Sequence, residues 1–151
     1  MSDNLSSITI RARSLLKDST SLVWSETELS ECIHQALDDL NLAAGQRWAL
    51  SGLNGAVSTD LPAGLASLLS RGAAAYALLM LAANRADLFN FQPGVCQATT
   101  AAATGFLKQF QCGLSFLAQL RVTGLQNAID APFPSAADAL PGGWRLDDDL
   151  D

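Results

Sequence analysis

The residues able to do chemistry in this chain are few and lie far apart. One histidine, His34, sits inside a helical pattern, and three cysteines, Cys32, Cys96 and Cys112, are spread through apolar surroundings. A histidine acts as a base or a metal ligand only with partners that converge on it, and no partner cluster is recognisable around His34. The cysteines lack the CxxC spacing of a zinc or redox site and read as reduced, buried thiols. The acidic run DDDLD at 147–151 has neither the glycine nor the distal glutamate of a calcium loop, so it reads as a solvated terminus. Gly52, Gly55 and Gly64 have neither the spacing nor the lysine of a phosphate loop, and no GxGxxG or GxSxG is present. These residues point to a protein that is not an enzyme and that carries no catalytic residue, no metal and no cofactor.

Charge is placed unevenly. The net charge is −6, of which residues 1–129, with nine acidic and eight basic side chains, hold −1, and residues 130–151, with six acidic and one basic, hold −5. A body without a basic excess has no surface for gripping phosphates, which argues against nucleic-acid binding. Between Leu61 and Ile129 only Arg71, Arg85, Asp87, Lys108 and Arg121 are charged, too few to solvate the outside of two long helices. An isolated monomer would expose a large apolar surface, so the chain reads as a subunit of an assembly. The longest uncharged apolar run, 72–83, would span about 18 Å as a helix against a bilayer core of about 30 Å, and is not read as a membrane span. The N-terminus shows no apolar secretion signal.

The elements follow from periodicity. Ile8, Ala12, Leu15 and Leu16 form one stripe, with Arg11, Arg13 and Lys17 opposite, which predicts a first helix near 6–17. Ser25 and Glu28 make a capping box and Trp24 with Leu29 a hydrophobic staple, opening a second helix near 25–43 that Gly45 stops. Between 47 and 59 the pattern dissolves around Trp48 and Asn54-Gly55, the signal for a short hairpin or an irregular arm. Pro62 opens a third helix near 62–90, and Pro93-Gly94 breaks it. A fourth runs near 97–123 with two apolar stripes, one through Ala103, Phe106 or Leu107, Phe110, Leu114 and Leu117, the other through Cys112, Phe116 and Leu120. The fold expected is all-α: a four-helix bundle-like domain over 1–129, its last two helices antiparallel, and an extended acidic tail over 130–151. Gly72, Ala75, Tyr76, Gly105 and Gly113 are the residues expected at helix or subunit packing contacts.

The segments ITIRARSLLKD, VWSETELSECIHQALDDLN and LPAGLASLLSRGAAAYAL, in that order within residues 8–91, resemble the small head-to-tail connector (adaptor) proteins of tailed bacteriophages. The resemblance implies a virion protein of the neck, assembled in the host cytoplasm as a homo-oligomeric ring, usually twelvefold, beneath the portal. Its partners would be other copies of itself, the portal protein and tail-side neck or tail proteins, with double-stranded DNA only as passing cargo and no membrane. Acidic side chains, Asp38, Asp39 or Asp87 among them, would line the channel. The tail would reach the portal, with Trp144 as its anchor and Phe133, Leu140, Arg145 and Leu146 beside it. Two other classes fit the same residues: a tail-completion or neck protein that binds the tail tube, and a cellular helical binding module. The ring with which the protein co-purifies separates the first from a connector, and a stable monomer or dimer with a ligand-sized cavity would mark the second.

Overall fold

Four α-helices and no strand make up the described residues, 3–86 and 93–124, of the computed structural model. They are α1 (Leu5–Leu16), α2 (Glu26–Ala44), α3 (Ala66–Ala86) and α4 (Pro93–Val122). The all-α class is thus as expected. Two starts differ. A 3₁₀ turn at Ala63–Leu65 follows Pro62, so α3 begins at Ala66. The fourth helix begins at Pro93 instead of near 97, because a proline in the first helical position lacks only an N–H that would have no partner there. The expected last turn of the third helix, 87–90, lies outside the described residues, as do the tail and the domain boundary at 129.

Helix α3 packs against the other three, most extensively against α4. Leu68 meets Gly113 and Gly72 meets Phe110, so residue numbers rise on one helix as they fall on the other and the pair is antiparallel. The stretch Ala63–Asn84 is long and apolar enough to cross a membrane by length and composition, and 44% of its most apolar window is buried in the fold. Burial against three helices gives a core helix the same composition. Ile8, Leu29, Ile33, Leu40, Leu50, Leu69 and Phe110 form the centre of the core.

The caps are local. Ser25 and Glu28 form the expected box on α2, and Gly45 ends that helix at φ 66°. On α1 an unforeseen box joins Asn4 and Ser7. Asn54 and Gly55 both take positive φ, with the Ala56 N–H donating to the Leu53 carbonyl at 3.0 Å. That is the tight turn the dipeptide encodes. It does not seed a hairpin: 46–62 is an irregular loop stitched to the start of α1 by Leu5 N–H to the Ser51 carbonyl, 2.9 Å, and Thr59 Oγ1 to the Asp3 carbonyl, 2.6 Å. Leu50, Leu53 and Leu61 are buried beneath it, so the loop belongs to the body and is not an arm.

The connection between α1 and α2 holds a correction to the stripe reading. Arg13, assigned to the solvent side, is buried, donating from Nη1 to Asp18 Oδ2 and to the Trp24 carbonyl, both at 3.1 Å. Asp18 in turn accepts from the backbone N–H groups of Leu22, Val23 and Trp24. Trp24 is buried, and its indole N–H reaches the Ala77 carbonyl of α3 at 3.3 Å. The loop is therefore held by a carboxylate that needs its charge. Burial pushes the Asp18 carboxyl up, yet the bonds from Trp24, Leu22 and Val23, with Arg13, outweigh it and hold it below its ordinary 3.8. A depressed folded-state pKa stabilises above the unfolded value, and the contribution disappears as pH falls through the folded one. Asp18→Asn should accordingly lower the denaturation midpoint at pH 6 and flatten its fall between pH 4 and pH 2. Glu28, lowered by the Ser25 N–H and then by its hydroxyl, supplies the slope that remains. Identical midpoint-against-pH curves for the two proteins would remove Asp18 from this role.

Candidate assembly interface

Four of the five packing residues lie along one seam. Gly72 is buried where a Cβ would stand 2.6 Å from Phe110 Cε2, and Gly113 lies where one would stand 2.6 Å from Leu68 Cδ1. Ala75 is fully buried beside them on α3. Tyr76, half-buried, packs edge-on to Phe110 with centroids 6.2 Å apart, and its hydroxyl donates to Asp39 of α2. Burial first, and then the Asp39 carboxylate, push the tyrosine up to about 12. This ties the half-buried Asp39 to α3; Asp38 is exposed beside His34, and Asp87 lies outside the described residues. Gly105 makes no helix contact within the chain, which leaves a subunit contact as the expectation for it. Nothing lies within 4 Å of its would-be Cβ, because it faces away from α3.

That outward side of α4 is the feature around which an assembly could form. Ala101, Gly105, Lys108, Cys112, Phe116 and Gln119 recur at steps of three and four and are all exposed, Phe116 by 60%. The first apolar stripe is the one turned inward, with Ala103, Phe110 and Leu117 buried and Phe106, Leu107 and Leu114 half-buried. The second, expected to be buried as well, is open at Cys112 and Phe116 within the single chain. Cys112 is thus not the buried thiol the sequence suggested, whereas Cys32 is buried and pushed up to about 11 by that burial and then by Glu28 and Glu31. The Cys96 side chain lies outside the described residues.

Between Pro93 and Val122 only Lys108 and Arg121 are charged, and Arg121, itself exposed, reaches across to the end of α2. Its Nη1 approaches the Leu42 carbonyl at 3.5 Å, beside Gly45, placing a cation at the negative end of α2, which has no basic residue in its own last turn. Lys108 is left as the one charge on the outer face. Further apolar side chains stand in solvent at Leu22, Leu42 and Val57, each at least 77% exposed.

Chemistry elsewhere is sparse. His34 Nε2 lies 2.7 Å from Asn54 Nδ2 and 3.5 Å from Asp38, a polar bridge between α2 and the loop tip. Among the described residues no group of three His, Cys, Asp or Glu side chains could hold a metal. A cleft of about 550 Å³ between α1 and α2 holds Arg13 and Glu26; Arg13 Nη1 is committed to Asp18 and the Trp24 carbonyl, while its buried Nη2 has no hydrogen-bond partner among the described residues. Phe133, Leu140, Trp144, Arg145 and Leu146, the residues expected to dock on a portal, lie outside the described residues. Compared with models of known families, with curated proteins and with solved structures, the chain has no match.

Proposed function

We propose that this chain is the repeating subunit of a homo-oligomeric ring, the head-to-tail connector in the neck of a tailed bacteriophage, seated beneath the portal and letting DNA through its centre. The observation that carries the reading is the outer face of α4, exposed from Ala101 to Gln119 with one charge and an exposed phenylalanine. A closed ring needs one surface that meets a different surface of the next copy, repeated by rotation. The stretch 101–119 is about 28 Å of helix about 10 Å across, so its face offers roughly 280 Å², near a third of the about 800 Å² per partner in a stable interface. Leu22, Leu42 and Val57 are among the exposed apolar residues available to complete it. The order of segments within 8–91 that resembles connectors supports the same reading.

The tail, 130–151, then serves as the arm that reaches the portal, with Trp144 seated in an apolar pocket and Phe133, Leu140, Arg145 and Leu146 around it. Tail-side neck proteins meet the opposite rim. Electron microscopy of the full chain mixed with its virus's portal ring tests this. The expected result is a ring of connector subunits capping the portal, with capture weakened about tenfold or more by Trp144→Ala. The assembled ring should retain duplex DNA only weakly, since 15 acidic residues face nine basic ones. A protein that stays monomeric and ignores the portal would overturn the proposal.

A further inference from the structure

Helices α1 and α3 border a second cleft, of about 290 Å³, lined by Arg11, Ser14 and Leu15 from α1 and by Ser67, Ser70 and Arg71 from α3. On each helix the three residues stand at i, i+3 and i+4, which puts them on one face. Each wall thus brings one arginine and at least one hydroxyl, and no acidic side chain lines the space. Arg71 has no hydrogen-bond or ion-pair partner among the described residues. Arg11 spends Nη2 on Asp3 at 2.9 Å and keeps its other donors. The Ser70 hydroxyl is committed to the Ala66 carbonyl, while those of Ser14 and Ser67 are uncommitted among the described residues.

Two guanidinium groups, free hydroxyls and one leucine make a recognition surface for an acidic peptide with an apolar residue in it. We infer that this cleft receives the acidic C-terminal segment of the chain itself, residues 147–151, with aspartates against Arg11 and Arg71 and Leu150 against Leu15. Charge complementarity carries the choice. The 22 residues of 130–151 hold −5 of the net −6, and DDDLD is the densest run of acid in the sequence.

Reach permits it. Gly113 of α4 packs on Leu68, which sits between Ser67 and Arg71 at the two ends of the α3 wall. From Gly113 to Gly124 the helix and its cap advance about 16 Å. The 27 residues beyond, 125–151, could span about 90 Å when extended, so the distance back to the cleft is no obstacle. A tethered segment acts at an effective concentration on the order of millimolar, so even a weak site is occupied. Duplex DNA suits the cleft less well, since a phosphate backbone calls for a stripe of basic residues and makes no use of Leu15. The inference does not rest on the connector reading, because it concerns one chain without a portal.

The test uses full-length protein and a fluorescent peptide of sequence 144–151, followed by anisotropy at low salt. The receptor is the chain with Asp147, Asp148, Asp149 and Asp151 all changed to Asn, which leaves the body intact and weakens its own tail as a competitor. This variant should bind the peptide at least fivefold more tightly than wild type. Adding Arg71→Gln to it should cost at least fivefold, and Arg11→Gln with Arg71→Gln more; raising the salt to 0.5 M should weaken binding in the same direction. Arg71→Gln alone is the decisive variant, since Arg71 is exposed and unpaired and its loss does not disturb Asp3. Equal affinity of wild-type and tail-neutral chains, or peptide binding indifferent to Arg71, overturns the inference. So does a 20-base-pair duplex that binds through Arg71 where the peptide does not. Failure of Trp144→Ala to affect portal capture would count against the connector arm and leave this measurement untouched.

Discussion

Gly72→Ala is expected to destabilise the fold by about 1–2 kcal/mol, although alanine is the better helix former by about 1 kcal/mol. The added methyl would stand 2.6, 2.8 and 2.9 Å from Cε2, Cζ and Cδ2 of Phe110. Phe110 is fully buried, and Tyr76 packs edge-on against its ring, so the ring has little room to retreat. Overpacking a rigid site of this kind costs about 1–3 kcal/mol and exceeds the helical gain. Gly113→Ala should be milder, because the atoms it meets are the far end of the half-buried Leu68. Gly105→Ala should instead stabilise an isolated subunit by about 1 kcal/mol, since its Cβ meets nothing. The three midpoints, from thermal or urea unfolding at a concentration where the protein is unassembled, should rank Gly72→Ala below Gly113→Ala below Gly105→Ala. For a chain of this size, 1 kcal/mol corresponds to roughly 2–4 °C. Gly72→Leu should go further and prevent ordered packing. A stabilising Gly72→Ala would mean that α3 and α4 do not meet at Phe110 in solution.

Phe116→Glu is expected to abolish self-association while leaving the subunit folded. Phe116 is 60% exposed on a face whose remaining charge is Lys108, so the substitution takes nothing from the core. Fully burying a phenylalanine side chain contributes about 1.5–3 kcal/mol, and the exposed part of this one would supply roughly 1–2 kcal/mol to each contact. A glutamate there forfeits that gain and must also lose its hydration without a partner. A ring multiplies the loss, because every subunit contributes the residue. Sedimentation velocity over a concentration series should show wild type associating and Phe116→Glu remaining monomeric, with unchanged far-ultraviolet circular dichroism. Val57→Glu, at the 94% exposed loop position, is the contrast. If Val57→Glu dissociates the assembly and Phe116→Glu does not, the loop and not α4 makes the contact. Gly105→Ala adds a second sign: harmless to the isolated subunit, it should weaken assembly if a neighbour packs closely there.

What could be read from the sequence alone was what short-range physics dictates. The 3.6-residue spacing of Leu29, Cys32, Ile33, Ala36, Leu37 and Leu40 sets the buried face of α2 wherever that helix is placed. The Ser25–Glu28 box, the Gly45 stop and the positive φ of Asn54-Gly55 each depend on atoms within four residues. The uncharged character of α3 and α4 was equally visible, and with it the expectation of assembly.

The tertiary structure decided what each face meets. Glycine in a helix looks the same at 72 and at 105; a phenylalanine 38 positions away makes the first a tight contact, and open space leaves the second free. Arg13 looked like a solvent residue because its spacing sets it off the stripe, and only the folded loop brings the Asp18 carboxylate and the Trp24 carbonyl to its guanidinium. A tighter reading of Asp18 against Arg13, five residues apart at a helix end, could have raised that pairing. The bond from Tyr76 to Asp39, the capping of α2 by Arg121 and the meeting of Arg11 with Arg71 across one cleft all join distant segments. Periodicity states which side of a helix avoids water but not which other helix covers it, because that choice is made by the summed packing of all four.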